Sequence, residues 1–518
     1  MTMLIMLIIW SLMNVFLSGA QGQQSNDKYR KFPDGFQFGG ATASYQVEGG
    51  WNISDKGENI WDRYCHTTKH INNRSTGDVA CDSYHQYARD VEMLKELGVN
   101  FYRFSLSWSR ILPTGFSNKI STDGIAYYNR LIDLLVENNI SPVVTLYHWD
   151  LPQSLQDLGG WPNPWMVKYF TDYARVAFSA FGDRVTDWLT FNEPIDVCDG
   201  GYGSNEKAPG IQSPGIGEYL CGHTILKAHA RVYHLYNDTY KSTQKGRVGF
   251  TMDVNWHEPE NPNSTADLEA SERALQFIAG WFGHPIYSKE GDYPAVFKDR
   301  IASNSIVQGF SSSRLPVFTP DEVLYIKGTY DFLGLNHYTS LITRSNKDDR
   351  PSPSPSFSND LGVIEYQRKE WPTAPGTSWL KVVPWGLRKA LLWLKVEYNN
   401  PEIVIFENGY SDLGGTNDTG RIDYYKRYLN AMLDAMEEGV NVSGYTAWSL
   451  MDNFEWLQGY SAKFGLYQVD FESVSRTRTA KASVKFYSNI TRTRQIERVF
   501  EKPAHYEMVP TGYNVIMT

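Results

Sequence analysis

The chain has 518 residues and a formal net charge of −9 with no long basic run, so nothing in it attracts nucleic acid or an anionic membrane surface. At 42% hydrophobic and 21% charged residues it is ordinary for a globular protein and rich enough for a large buried core. Aromatics reach 14%, which suits either that core or ring faces presented to a ligand.

Residues 4–17 are almost wholly apolar and lead into Ser18, Gly19 and Ala20, the small-residue exit of a secretion signal. A signal over 1–20, cleaved near Ala20, and a secreted product are therefore expected, with an uncleaved anchor as the alternative because no Lys or Arg precedes the apolar core. No other stretch reaches the ~18 consecutive apolar residues of a membrane helix, so no stable membrane association is expected. Sequons follow at Asn52, Asn73, Asn139, Asn237, Asn263, Asn417, Asn441 and Asn489, of which Asn139 is the weakest because Pro142 follows its Ser141. Cys65, Cys81, Cys198 and Cys221 are too few and too far apart for a disulfide scaffold or a zinc site. In an oxidising compartment, proximity favours Cys65 with Cys81 and Cys198 with Cys221 without fixing the connectivity.

From about residue 36 to 448 a pattern repeats: a short apolar or β-branched run, a polar loop, then a helical stretch. Strands are predicted over 36–39, 101–104, 142–147, 188–191, 331–335, 403–406 and 442–447, with a weaker one over 247–252. In Ser83–Leu97, Tyr87, Val91, Leu94 and Leu97 recur at helical spacing, and Gly98 stands where a C-terminal cap belongs. A helix over 165–181 is flanked by Pro164 at a first helical position and by Gly182 just past the end. Eight strand–helix units of one composition predict an α/β fold, a single (β/α)8 TIM barrel over 27–500, rather than an open doubly wound sheet. No glycine-rich phosphate loop follows the first run. Long insertions at the C-terminal face fall at 200–220 and 341–380, the second with a loop tip in which Pro351, Pro353 and Pro355 alternate with serines. The tail 501–518 lacks periodicity and is assigned no function.

Barrel chemistry sits at the C-terminal ends of the strands. The predicted strands end at Arg103, His148, Asn192 with Glu193, Asn336 with Tyr338, Glu407 and Trp448. Glu193 and Glu407 each follow an apolar strand, where a carboxylate is costly to desolvate unless it is paired or used. On the residues alone, a salt-bridged structural pair is an equal alternative.

TFNEP at 190–194 and Glu407-Asn408-Gly409 resemble the two active-site signatures of glycoside hydrolase family 1. FGGATASYQVEG at 38–49 and WSLMDNFEWLQGYSAKFG at 448–465 resemble two further signatures of that family, in its order and spacing. The resemblance covers about residues 30–490, and SWSRILPTG at 107–115 with YHWDLPQ at 147–153 looks most like the secreted animal, arthropod β-glucosidases.

The resemblance implies a retaining double displacement with Glu193 as acid/base and Glu407 as nucleophile, their carboxyls about 5 Å apart. It implies that Arg103 and Tyr338 hold the nucleophile ionised and that Glu193 rests protonated beside it. Asn192 is implied to bind the sugar 2-hydroxyl. Gln46, His148 and Glu455 bind the rest of the glycone, with Trp456 beside them, Trp448 as a ring platform and Trp379 lining the leaving-group side. A carboxylate at Glu455 suits hydroxyls at carbons 4 and 6 and repels a 6-phosphate, so glucose and fucose, with some galactose, are the expected sugars.

The implied partner is a small β-glycoside or oligosaccharide, with no metal or organic cofactor; a homodimer is left open. The stretch after Glu193 departs from the family pattern, carrying Asp196, Cys198 and Asp199. One rival function is a thioglucosidase acting on glucosinolates, which wants cations such as Lys207 or Arg344 near the leaving group. The other is an inactive sugar-binding module, whose mark would be loss of either Glu; both are present.

Overall fold

The computed structural model describes residues 28–347 and 353–499. The expected secretion signal, the tail 501–518 and, of the Pro/Ser loop tip, Pro351 and Ser352 lie outside the described residues. Eight parallel strands close into a barrel: β1 (Gln37–Ala41), β2 (Phe101–Ser105), β3 (Ser141–Tyr147), β4 (Asp187–Asn192), β5 (Arg247–Asp253), β6 (Phe332–Asn336), β7 (Ile403–Asn408) and β8 (Val442–Trp448). Each strand pairs with its chain neighbour, and β8 returns to β1. The weak run at 247–252 is thus a full barrel strand, one residue longer than predicted.

Phe101, Val143, Leu189, Phe332, Val404 and Phe406 form a buried cluster of their own, apart from the main core. All six come from barrel strands, and they fill the interior that such barrels keep packed. Gly39 and Gly249 make room for this plug. A Cβ on Gly39 would lie 2.3 Å from the Phe101 ring, and one on Gly249 would lie 2.4 Å from the Phe332 ring.

Helix α1 (Ser83–Leu97) forms as predicted and stops at Gly98, whose φ of +68° places it in the left-handed region. Helix α2 (Met166–Phe181) starts later than Pro164 suggested. Asn163 accepts a hydrogen bond from the Trp165 amide at 3.0 Å and caps a leading turn, which leaves Pro164 ahead of the helix.

The insertion at 200–220 is ordered. It opens with a π-helical segment, Asp196–Gly203, and runs into α3 (Gly217–Leu235). Cys198 and Cys221 form a disulfide that joins the two. Cys65 and Cys81, by contrast, are buried free thiols. Different neighbours hold them: the Tyr45 hydroxyl donates to Cys65 Sγ at 3.3 Å, and the Cys81 thiol donates to the Asp452 carbonyl at 3.1 Å. The expected Cys65–Cys81 pairing is corrected accordingly.

Within the insertion at 341–380, strands Ser340–Ser345 and Val363–Tyr366 belong to a small sheet completed by Trp256–Pro259. Strands Tyr29–Lys31 and Gln495–Glu497 pair antiparallel and tie the two ends of the described chain together. All eight sequon asparagines are exposed. Among the described residues no helix is long and apolar enough to cross a membrane.

Candidate active site

The barrel register brings the strand ends to one rim. Ala41 pairs with Arg103, Asn192 with Thr251, Asp253 with Asn336 and Asn336 with Glu407. Arg103 is fully buried and directs its guanidinium three ways: Nε to Thr145 Oγ1 at 3.0 Å, Nη2 to Asn192 Oδ1 at 2.6 Å, and Nη1 in an ion pair with Glu407 Oε1. The Tyr338 hydroxyl donates to the other Glu407 oxygen at 2.7 Å. Asn336 Nδ2 donates to Glu193 Oε1 at 2.7 Å and to Asn192 Oδ1 at 3.0 Å. A continuous polar chain therefore links the two carboxyls through Asn336, Asn192 and Arg103.

The surroundings act unequally on the pair. Burial, then the charges of Glu407, Asp253 and Asp196, push the Glu193 carboxyl well above the usual carboxylate range. Burial also raises Glu407, but there the Arg103 guanidinium and the Tyr338 hydrogen bond oppose it. Burial and the Glu407 charge push the Tyr338 phenol well up, so it remains a donor. Glu193 itself holds φ at +44°, and the nearby Trp149 and Trp456 sit at +79° and +47°. Left-handed backbone at three bulky residues is strain of the kind that gathers at functional sites.

Gln46 lies on the short helix Ser44–Val47 after β1, and its Nε2 donates to the Phe454 carbonyl at 2.9 Å and Asn453 Oδ1 at 3.1 Å. Glu455 Oε2 stands 3.4 Å from the same nitrogen. Burial, then Glu407, push the Glu455 carboxyl up to about 8.

Burial and the Arg103 charge hold His148 well below its usual range, so the ring is neutral. Asn192 Oδ1 already accepts twice, so its Nδ2 donates to His148 Nε2, at 3.2 Å. The ring proton therefore sits on Nδ1. His148 Nδ1 and Gln46 Oε1 are both buried with no protein partner, a free donor and a free acceptor.

Trp448 and Trp456 both lie near-parallel to the His148 ring at 6.0 Å. Trp379, brought in by the second insertion, meets Tyr338 edge-on at 5.8 Å and is 44% exposed. Every predicted site residue thus converges on this rim, with Trp379 at its mouth.

Residues 28–496 match Glycosyl hydrolase family 1. The chain belongs to that family. Myrosinase 1 of Brevicoryne brassicae is 50% identical over 465 residues, 89% of this chain and 99% of that protein. The human cytosolic β-glucosidase is 43% identical over 473 residues, 90% and 99% of the two chains. The solved structure of aphid myrosinase superposes with a TM-score of 0.86, again at 50% identity, covering 89% of this chain and 99% of that one. The protein is a glycoside hydrolase acting on small glycosides.

Three residues of this family 1 hydrolase escaped prediction as parts of the site. Trp149 donates from Nε1 to the Asn192 carbonyl at 3.0 Å and packs on Trp456 at 4.5 Å; its sequence signal was its place beside His148 in YHWDLPQ, which carried no role for it. Asp253 lies one residue past the predicted end of its strand. Burial, then Asp196, push its carboxyl up to about 7. Lys207, considered only as a loop cation, sits 2.6 Å from Asp196 Oδ1 and 4.4 Å from the Trp149 ring centre. Arg344, the other cation considered, faces Glu260 at 3.8 Å on the small sheet.

Proposed function

We propose that this family 1 hydrolase is a secreted retaining β-glucosidase that removes terminal β-D-glucosyl residues, and fucosyl or galactosyl ones, by double displacement. The observation that carries this reading is the unequal support of two buried carboxyls, with donors on Glu407 and further negative charge around Glu193. Glu407 attacks the anomeric carbon as Glu193 passes its proton to the glycosidic oxygen and the carbon–oxygen bond breaks. The sugar is then held as an ester of Glu407. Glu193, now a carboxylate, takes a proton from water, whose oxygen displaces Glu407 from the same face on which the leaving group departed, so configuration is kept.

The glycone contacts follow from the free atoms. Asn192 has one amide proton left for the 2-hydroxyl, a contact that strengthens as positive charge builds on the ring. His148 Nδ1 offers a donor and Gln46 Oε1 an acceptor to neighbouring hydroxyls, Glu455 serves carbons 4 and 6, and the tryptophan faces take the C–H surface. The disulfide and the exposed sequons support a secretory location.

The 50% identical relative named a myrosinase raises a thioglucosidase reading. A sulfated leaving group needs an unspent cation, and Lys207 is already neutralised by Asp196. Proton NMR of the first glucose released from an aryl β-glucoside tests the proposal. The β-anomer appears first if configuration is retained, and the α-anomer first would refute double displacement.

A further inference from the structure

Helix α4 (Thr419–Glu437) brings two tyrosines to one backbone atom. The hydroxyls of Tyr424 and Tyr428 both donate to the Tyr338 carbonyl, at 2.9 and 3.0 Å. The two residues stand one helical turn apart on the same face, fully buried, with their rings stacked at 3.9 Å. A backbone carbonyl has two lone pairs, and here each meets a phenol. Both phenols are fixed in turn: Asn408 Nδ2 donates to Tyr424 at 2.9 Å, and the Val383 amide donates to Tyr428 at 2.9 Å.

The segment they grip joins the two acids. Asn336 donates to Glu193 and Tyr338 donates to Glu407. Between them, the His337 amide donates to the Glu407 carbonyl at 2.9 Å, and the His337 carbonyl accepts from Asn408 Nδ2 at 2.6 Å. The Tyr445 hydroxyl donates to Asn408 Oδ1 at 2.6 Å and completes the strap between this segment and β7. The Tyr338 ring is held less firmly than its carbonyl. It is only partly buried and meets Trp379 and Phe464 edge-on at 5.8 and 6.1 Å. A hydroxyl at the end of such a ring swings by about 1 Å for a backbone tilt of about 10°, beyond the tolerance of about 0.5 Å in a working constellation.

We propose that Tyr424 and Tyr428 are positioning residues for the reaction: their paired grip on the Tyr338 carbonyl sets where the Tyr338 hydroxyl sits and so keeps that donor on the nucleophile. The inference rests on the double-displacement reading above, in which Glu407 attacks as a carboxylate. Phenols that only filled the core would need an acceptor each. Two converging on the one carbonyl behind Tyr338 fix a direction as well as a distance. Arg103, the other donor on Glu407, reaches it from β2 through bonds to Thr145 and Asn192 and is not touched by this grip.

The test records pH profiles of kcat/KM on an aryl β-glucoside, with thermal unfolding beside them. The proteins are the native chain, Tyr424→Phe, Tyr428→Phe, the two combined, Tyr338→Phe, and all three combined. Each change keeps the ring and removes one hydroxyl, and Asn408 keeps its bond to the His337 carbonyl throughout. Either single change on α4 leaves one bond to the Tyr338 carbonyl and should cost about two- to threefold at neutral pH. The pair should cost about tenfold and move the acid limb to higher pH, as Tyr338→Phe does. Added to Tyr338→Phe, the pair should cost less than about twofold more, because the hydroxyl through which it acts is already gone. A pair that lowers the unfolding temperature and leaves the acid limb in place would overturn the proposal, as would a loss that adds in full to that of Tyr338→Phe. Should the pair fail to fold, the single variants decide by the same two readings. An acid limb unmoved in Tyr338→Phe itself would overturn the support of Glu407 by Tyr338 and this proposal together.

Discussion

Glu407 receives donors from Arg103 and Tyr338, whereas Glu193 receives one from Asn336 and faces the charges of Glu407, Asp253 and Asp196. A carboxyl raised by its surroundings keeps its proton as pH rises, so with Glu193 as the proposed general acid activity should persist until pH passes its elevated value and fall beyond that point. As the proposed nucleophile Glu407 must be ionised, so activity should also fall as pH drops through its own value. Tyr338→Phe removes a hydrogen bond to the ionised form. The acid limb of kcat/KM should therefore move to higher pH, with a loss of about tenfold at neutral pH. A pH–rate profile on an aryl β-glucoside checks this, and an unmoved acid limb would mean that Tyr338 does not support the nucleophile.

At this scale the site was legible because barrel strand ends and four family-like signatures point at the same side chains. Asp253 was missed by the one residue its strand was cut short. Trp149 was hidden because its role depends on a left-handed backbone, φ +79°, that its side chain does not advertise.

The elements show which local rules hold and which lose to context. Strand β5 reads weakly because Gly249 interrupts it with a residue that weakens strands, and that glycine serves to admit the Phe332 ring. The π-helical segment Asp196–Gly203 has no sequence period of its own, so that insertion offered no helical signal. Proximity paired Cys198 with Cys221 correctly and failed for Cys65 and Cys81, whose thiols meet the Tyr45 hydroxyl and the Asp452 carbonyl instead of each other.

The surviving disulfide spans a sequence separation of 23 and constrains the unfolded chain by about 3 kcal/mol. Titration of the denatured, unreduced protein with a thiol reagent should count two free cysteines. None would mean that Cys65 and Cys81 are joined, and four would mean that no disulfide forms. In the native state both should resist the reagent, since burial pushes Cys65 up to about 12 and raises Cys81 as well.

For the whole molecule, the closed barrel is what turns distant residues into one site. Arg103 and Glu407 lie 304 positions apart in the chain yet form a buried ion pair, because β2 and β7 open onto the same rim. Repetition of eight strand–helix units made that closure predictable. The small sheet at 256–259, 340–345 and 363–366 was not, since its strands are short and one of them lies outside the insertion that holds the rest.

In the proposed double displacement Glu407 becomes covalently bound to the sugar. A 2-deoxy-2-fluoro-β-glucoside with an activated leaving group slows release of that ester and lets it accumulate. Mass spectrometry of the treated, proteolysed protein should find the fluoroglucosyl group on the peptide containing Glu407, with activity lost in step. Full inactivation with the label on another residue, or steady turnover with no covalent adduct, would contradict the account.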